Sequence, residues 1–599
     1  MLASKSSFRS FWRFSGERDS AEKRIIACGG DMRLHLALCS SVCLFLLGLG
    51  SPDVLADRRE IAFSTREGTV TAFATNLGFV HSGKIGVVLT YKQNPYSTTV
   101  VSFSVAEGRI VDSFDLVADF GVTDNFNLQP ISFLKTHDLS GLVTIYGRNI
   151  GGIQKLLALT CDETGHLRRL WIRSFSSASR TPSENWLASN EDGSRIYFLH
   201  QRSGGATPQP LRAHGYLTSE GIVDLLRLQR LAYAQPILKP NQGSLATIEM
   251  SLDLIDVQTG GTLGTADVTG SGILSAVFFD GTRRRPTVLS GTVAYVFVSA
   301  SDSLVVESRF APQLELSLLD LEGQGLSQDG RLLAAYGGYN FDESGKLYNI
   351  YVSYNLEERS TTQFAAEGTS LIPFSNGAVF HRPTATLLVP LQIKFISEGN
   401  TIELKIVGSR QIDILKLAAS GSFSRPARVE IPKRSEGSVE PNMVGPLNTV
   451  AISATGAVGF ASSSNGRLFT FDMLSGQIVG DDLLESGKIF EIQLLESQGL
   501  LVYSNAENKL VFVDVSAGPT VTSVKVKNNR TIIKGATFLV GARVEINGVD
   551  LGVVNRSPDD PSREIVLDKG KRDFPASQPF NVVVINRDGL RSKPFPFQR

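Results

Sequence analysis

The chain is short of cysteine, of net charge and of long apolar runs, and each shortage removes a class of protein. Lys+Arg and Asp+Glu both total 59 in 599 residues, so there is no formal net charge. A dedicated nucleic-acid binder would carry a basic excess or stripe, and neither is present, so no nucleic-acid partner is expected. Of the 4 cysteines only Cys161 lies beyond residue 56, which leaves no internal disulfide for that part of the chain. An exported protein of this size without disulfides fits a bacterial source better than an animal one, because a large core makes cross-links unnecessary. Cys161 stands in "KLLALTCDE", alternating with apolar neighbours, and reads as a buried strand thiol in preference to a reactive one.

Motifs of common catalysis are lacking too. There is no H-E-x-x-H, no G-x-S-x-G and no G-x-x-x-x-G-K-[ST]. His81, His137, His166, His200, His214 and His381 never stand at metal-ligand spacing, although loops could gather two or three of them at a central channel. "DGTRRRPT" brings together Arg283, Arg284 and Arg285, which could receive a carboxylate, sulfate or phosphate; a solvated loop between strands is the preferred reading. "VADFGVTDNFN" offers Asp119, Asp124 and Asn125 as oxygen ligands for calcium, but without the D-x-D-x-D-G spacing, and ordinary turn chemistry explains it better. The sequence therefore assigns no catalytic, cofactor-binding or metal-ligating residue, implies no cofactor and names no ligand.

The one long apolar run, Leu36 to Gly50, spans about 15 residues against the roughly 20 that cross a hydrocarbon core as a helix. It follows Met32, Arg33 and His35, and it ends in Gly48, Gly50, Ser51 and Pro52 ahead of Val54-Leu55-Ala56. That is the format of a signal peptide over 32–56, cut before Asp57, with 1–31 a mis-assigned start or disordered leader. Neither Cys39 nor Cys43 follows Gly or Ala, which speaks against a lipoprotein. Export to the periplasm, the cell surface or the medium is expected, with no integral membrane span after cleavage.

What remains is written in strands. Gly 56 and Pro 24 punctuate short runs with period-two alternation, such as "KIGVVLTY", "TTVVSFSV", "TVAYVFVS" and "KLVFVDV", and convincing amphipathic helices are absent. A turn ending in glycine introduces an apolar strand at Gly141, Gly193, Gly243, Gly291, Gly330, Gly456 and Gly499. A second apolar strand, an acidic or Gly turn and a further strand follow, most clearly in "LFTFDMLSGQIVGD". A four-strand unit recurring every 40 to 55 residues or so marks a β-propeller blade. Nine units can be drawn between Leu77 and Ser516, one too many, since 271–365 divides in two ways. The fold expected is all-β: a β-propeller over 57–516 with eight blades preferred and seven the alternative, then an immunoglobulin-like β-sandwich over 517–599. The last propeller unit, "IFEIQLLESQGLLVYSNAENKLVFVDV", shows three strands, and "REIAFS" near the start is expected to supply the fourth.

"SSSNGRLFTFDMLSGQIVG" resembles the YVTN and WD-like repeats of bacterial propellers, strongly over 446–516 and only in architecture before that. After residue 517, Pro519-x-Val521-x-Ser523, "IIKGATF", "GARVEING" and "VVVINRDGLRS" are similar to the IPT/TIG family, with a generic fibronectin-like sandwich as the alternative. In physical terms Pro519 starts the first of about seven strands, Gly535 and Gly541 turn around a buried Phe538, and Asp588-Gly589 forms the last hairpin. The family implies a stacking, spacing or interaction role outside cells and no chemistry of its own. Two functions follow as expectations. The first is an exported, non-catalytic recognition or scaffold protein whose propeller face binds an extracellular protein or carbohydrate, with the sandwich as spacer or docking module. The second is a secreted propeller enzyme: a polysaccharide lyase, a hydrolase or a quinoprotein. Quinoprotein repeats use tryptophan in most blades, whereas only Trp171 and Trp186 lie beyond residue 56, which weighs against that branch.

Overall fold

The computed structural model describes residues 58–64, 77–92, 97–122, 131–149, 151–177, 186–202, 248–270, 275–300, 303–311, 322–341, 347–367, 371–373, 378–398, 401–431, 450–462, 466–485, 489–505, 507–515, 518–557 and 560–599. The expected leader and signal peptide, together with Asp124, Asn125, His214 and Gly243, lie outside these.

Between Arg58 and Asp514 the described residues form eight antiparallel sheets, each a meander of neighbouring strands. In chain order they span 77–115, 131–177, 187–270, 275–310, 322–367, 371–430 and 450–483, and they are called sheets 1 to 7 below. Sheet 8 takes its first three strands from 489–514 and its fourth from the other end of the chain, where Arg58–Ala62 pairs antiparallel with Lys509–Asp514. Among the described residues, the stretch 271–365 divides into two sheets. Among the described residues the single helix is one turn, Val117–Phe120.

Strand alternation explains how the sheets stack. Each sheet is apolar on both faces, and each face joins a cluster shared with a neighbour. Val80, Val87 and Val100 of sheet 1 pack with Leu134, Val143 and Leu157 of sheet 2. A larger cluster carries sheet 2 through sheet 3 to sheet 4, with Tyr146, Phe198, Leu252 and Phe297 all buried in it. Further clusters join sheets 4 and 5, 5 and 6, 6 and 7, and 7 and 8. The last returns from sheet 8 to sheet 1, placing Ile61, Phe63 and Phe512 against Val88 and Phe103. A series of sheets whose last member packs on its first is a β-propeller, and closure leaves Lys509–Asp514 no open edge. Burial of Ile61 and Phe63 contributes about 1.5–3 kcal/mol each to that seam.

Residues beyond 518 form two four-stranded sheets. One contains 520–526, 531–536, 564–567 and 555–556, and the other contains 549–553, 543–546, 579–585 and 595–598. This is the strand order of an immunoglobulin-like sandwich with one strand more than the seven expected. The addition is Val549–Val553, an edge strand whose polar and glycine content hid it from the alternation. Phe538 is fully buried in the sandwich core, and Gly541 does make a turn, at φ 80°. Gly535 does not: it lies inside the strand Thr531–Ala536, where a Cβ would run into the Thr520 carbonyl, so close backbone approach is the reason for glycine there.

Candidate functional site

In a four-stranded meander the turns joining strands 1–2 and 3–4 lie at one end, while the 2–3 turn and the exit to the next sheet lie at the other. His81, His137 and His381 lie at the first of these ends, whereas His200, next to last in the second strand of sheet 3, lies at the other. His81, His137 and His381 each close the first strand of a sheet, and each reaches to a backbone carbonyl of the next sheet. His81 Nε2 meets the Cys161 carbonyl at 2.8 Å, His137 Nε2 meets that of Glu191 at 2.8 Å, and His381 Nε2 meets that of Ala454 at 3.1 Å. Since a carbonyl only accepts, Nε2 carries the proton in all three. That leaves Nδ1 to accept from Ser140 Oγ (2.9 Å) beside His137 and from Thr384 Oγ1 (2.7 Å) beside His381. Burial pushes the His381 ring below the usual histidine range, so it is held neutral.

Sheet 4 puts Asp280 in the same place. It is 1% exposed and lies against the turn glycine of sheet 5, Gly330 (φ 66°), where any Cβ would strike the carboxylate. Arg382 Nη2 approaches Asp280 Oδ1 at 3.4 Å and donates to the Gln328 carbonyl, and its Nε donates to that of Ser327. Sheet 8 continues the pattern onto sheet 1, with Ser497 Oγ on the Ser82 carbonyl at 3.2 Å and Gln498 Nε2 on that of Gly83 at 2.9 Å. This end of the propeller is a series of clasps from one sheet to the next.

The remaining sequence candidates also find structural partners. The three arginines do not converge on one point. Arg283 donates to the Asp329 carbonyl and pairs with Glu357 at 2.6 Å, Arg285 pairs with Glu307 at 3.1 Å, and Arg284 sits at φ 54° in the intervening turn. Asp119, in the helix Val117–Phe120, is 5% exposed; it pairs with Arg169 and its carbonyl accepts from Lys155, which ties the end of sheet 1 to sheet 2. Cys161 is 2% exposed, and burial pushes its thiol up to about 12, as an inert core thiol requires. Trp171 of sheet 2 donates from Nε1 to the Val257 carbonyl of sheet 3 at 2.6 Å, so the docking use of tryptophan occurs here as an isolated case. His166 is exposed beside Asp112 at 3.6 Å. His200 lies under Phe175 and 3.4 Å from Asp253; burial works to raise that carboxyl, but the ring and the Thr265 hydroxyl outweigh it and hold it below its usual range. Among the described residues no three His, Cys, Asp or Glu side chains are placed to hold a metal ion.

Two polar centres escaped the sequence reading because their members are far apart in the chain. Asp413, with no exposed surface, accepts from Arg428 Nε at 2.6 Å and Nη2 at 3.1 Å and from the Tyr351 hydroxyl at 3.0 Å, linking sheets 5 and 6. Asp472 closes the third strand of sheet 7 and binds the sandwich: its Oδ2 accepts from Arg587 Nη1 at 2.7 Å and from the Val540 amide at 2.8 Å. Arg587 Nη2 donates also to the Ala457 carbonyl at 2.8 Å, and Leu539 is buried in the cluster between sheets 7 and 8. Asp472 and Ala457 both lie at the clasped end, so the sandwich takes up part of it.

The opposite end is built on another plan. Sheet 6 sends out two strands of 13 and 17 residues, Thr386–Glu398 and Thr401–Leu417, paired as far as Glu398 with Thr401. Their counterparts in sheet 7 have 5 and 6 residues, so a ribbon extends past the sheet at the 2–3 end, with Leu371–Pro373 paired on its first strand as far as Lys394. No helix among the described residues is long and apolar enough to cross a membrane.

No family model matches this chain, and no curated protein matches it. Among solved structures, the β-propeller domain described as Myceliophteria thermophila Cps50 (Swd1) is similar, at 10% identity and a TM-score of 0.34, over 75% of this chain and 99% of that one. The sheet order and the inter-sheet clusters described above make this chain a β-propeller with an appended β-sandwich.

Proposed function

We propose that this protein is an exported, non-catalytic recognition or scaffold protein, with YVTN-like blades, eight in number, over 57–516 and an IPT/TIG-like sandwich over 517–599. A signal peptide over 32–56 delivers it outside the cytoplasm. The propeller recognises an extracellular protein or carbohydrate at the end that carries the 2–3 turns. The observation that carries this reading is the contrast between the two ends. The His, Arg and Asp side chains at the clasped end are committed to holding one sheet on the next and to the sandwich, while the ribbon of sheet 6 is presented at the other. Rigid sheets carrying extended segments at one rim are suited to recognition, because the scaffold fixes where those segments stand.

The test uses the chain 57–599 with the ribbon cut back, 392–410 being replaced by a two-residue Asn-Gly turn. Binding is measured against purified cell-envelope polysaccharides and a panel of secreted proteins. Saturable binding that the shortened ribbon abolishes, with unfolding temperature kept, is the expected result. Binding that survives the shortening but is lost on substitution of His137 and His381 would place recognition at the wrong end.

A further inference from the structure

Sheets 3 and 7 carry the same acidic position at the end of the third strand. Asp256 faces Arg195, the first residue of the second strand, in the register of sheet 3; Asp472 faces Val458 in that of sheet 7. In both, one carboxylate oxygen caps the following turn. Asp256 Oδ1 accepts from the Thr259 amide at 2.8 Å, and Asp472 Oδ1 accepts from the Leu474 amide at 2.8 Å and the Ser475 amide at 3.0 Å. The other oxygen needs a second donor. Sheet 3 supplies it internally: Arg195 Nη1 donates to Asp256 Oδ2 and, at 3.3 Å, to the Ser194 carbonyl. Sheet 7 has valine there and cannot.

Arg587 of the sandwich supplies what Val458 lacks. It reaches Asp472 Oδ2 with one nitrogen and the Ala457 carbonyl with the other, and Ala457 stands where sheet 3 has Ser194. The match in backbone is close, since Met473 N donates to the Ala457 carbonyl as Val257 N donates to that of Ser194. A planar guanidinium on one carboxylate oxygen and one carbonyl is directional, and Leu539 and the Val540 amide fix the approach beside it. We propose that sheet 7 bears an arginine-receiving site, left open by Val458, that mounts the sandwich on the propeller at a fixed angle. The sandwich is then a docked part and not a swinging spacer. This holds whatever the propeller recognises.

The site predicts its own competitor. Val458→Arg gives sheet 7 the residue of sheet 3, and this arginine takes the Asp472 oxygen from within. Arg587→Met removes the donor from the sandwich side and leaves the hydrophobic stem. Hydrogen exchange on the full chain, read by mass spectrometry, separates the outcomes. Both variants are expected to speed exchange at least about tenfold in the docking segment 538–541, with the sandwich core 563–567 and the sheet 7 strand 458–462 unchanged. Unchanged exchange at 538–541 in both variants would overturn the proposal. Faster exchange throughout the sandwich core would overturn it too, since Arg587 would then stabilise the sandwich and not its mounting. Release by Val458→Arg with the 458–462 strand intact is the outcome that a merely structural arginine would not give.

Discussion

The two ends of the propeller divide the work between holding and presenting. At the clasped end His81, His137 and His381 repeat one bond, a ring Nε2 on the next sheet's carbonyl, and Asp280 stands in the same place with arginines around it. At the other end sheet 6 extends a ribbon that no described sheet matches in length. A closed propeller needs each sheet fixed to two neighbours, and at the clasped end short turns with fixed donors do that repeatedly. The other end has inter-sheet bonds too, Gln154 Nε2 on the Gln201 carbonyl at 3.2 Å and the Tyr295 hydroxyl on that of Thr269, but these spring from within strands, so the segments between strands can lengthen without loosening the closure.

Substitutions break or sharpen this comparison according to where they fall. The largest effect is expected below the clasped end, in the body. Asp413→Ala leaves the buried Tyr351 hydroxyl and the half-buried Arg428 without their carboxylate and should cost about 3–5 kcal/mol in denaturant unfolding. Gly330→Ala comes next: it imposes a left-handed φ on alanine and drives a methyl into Asp280, for about 1–3 kcal/mol. Smaller again is His381→Ala, which strips the Ala454 carbonyl of its side-chain donor and should lower stability by about 1–2 kcal/mol.

Acid gives a subtler test of the same residue. The His381 ring titrates lower in the folded chain than when unfolded, so its contribution is complete above the unfolded value of about 6.5 and is lost as pH falls through the folded one. The Lys416 amine and the Glu496 carboxylate act on that ring in opposite directions, and burial decides the result. An unfolding midpoint that falls between pH 7 and 5 in the parent, and falls less in His381→Ala, is expected. The smallest change in stability, within about 0.5 kcal/mol, belongs to shortening the ribbon over 392–410, which should alter binding alone.

Much of the architecture was legible because it is local. A glycine turn before an apolar strand recurs at Gly141, Gly193, Gly330, Gly456 and Gly499, all of which do adopt positive φ. Counting strands in the last unit also showed one missing, and Arg58–Ala62 fills the place expected of it. The clasps were not legible. Each histidine was visible, but its partner is a carbonyl 54 to 80 residues away, and backbone acceptors carry no residue signature. The same distance hid the mount of the sandwich, where Asp472 and Arg587 lie 115 residues apart. In sheet 7 the aspartate could be read as a turn residue, as it is, but only comparison with Arg195 in sheet 3 shows that its second oxygen lacks a local donor.

The central claim, that holding and presenting occupy opposite ends, is tested most directly by binding isotherms on folded 57–599 carrying either Gly330→Ala or the shortened 392–410 ribbon. The account predicts that the glycine variant unfolds at lower denaturant yet binds with parental affinity, while the ribbon variant unfolds as the parent does and no longer binds. Loss of binding in the folded glycine variant, with binding kept by the ribbon variant, would contradict it.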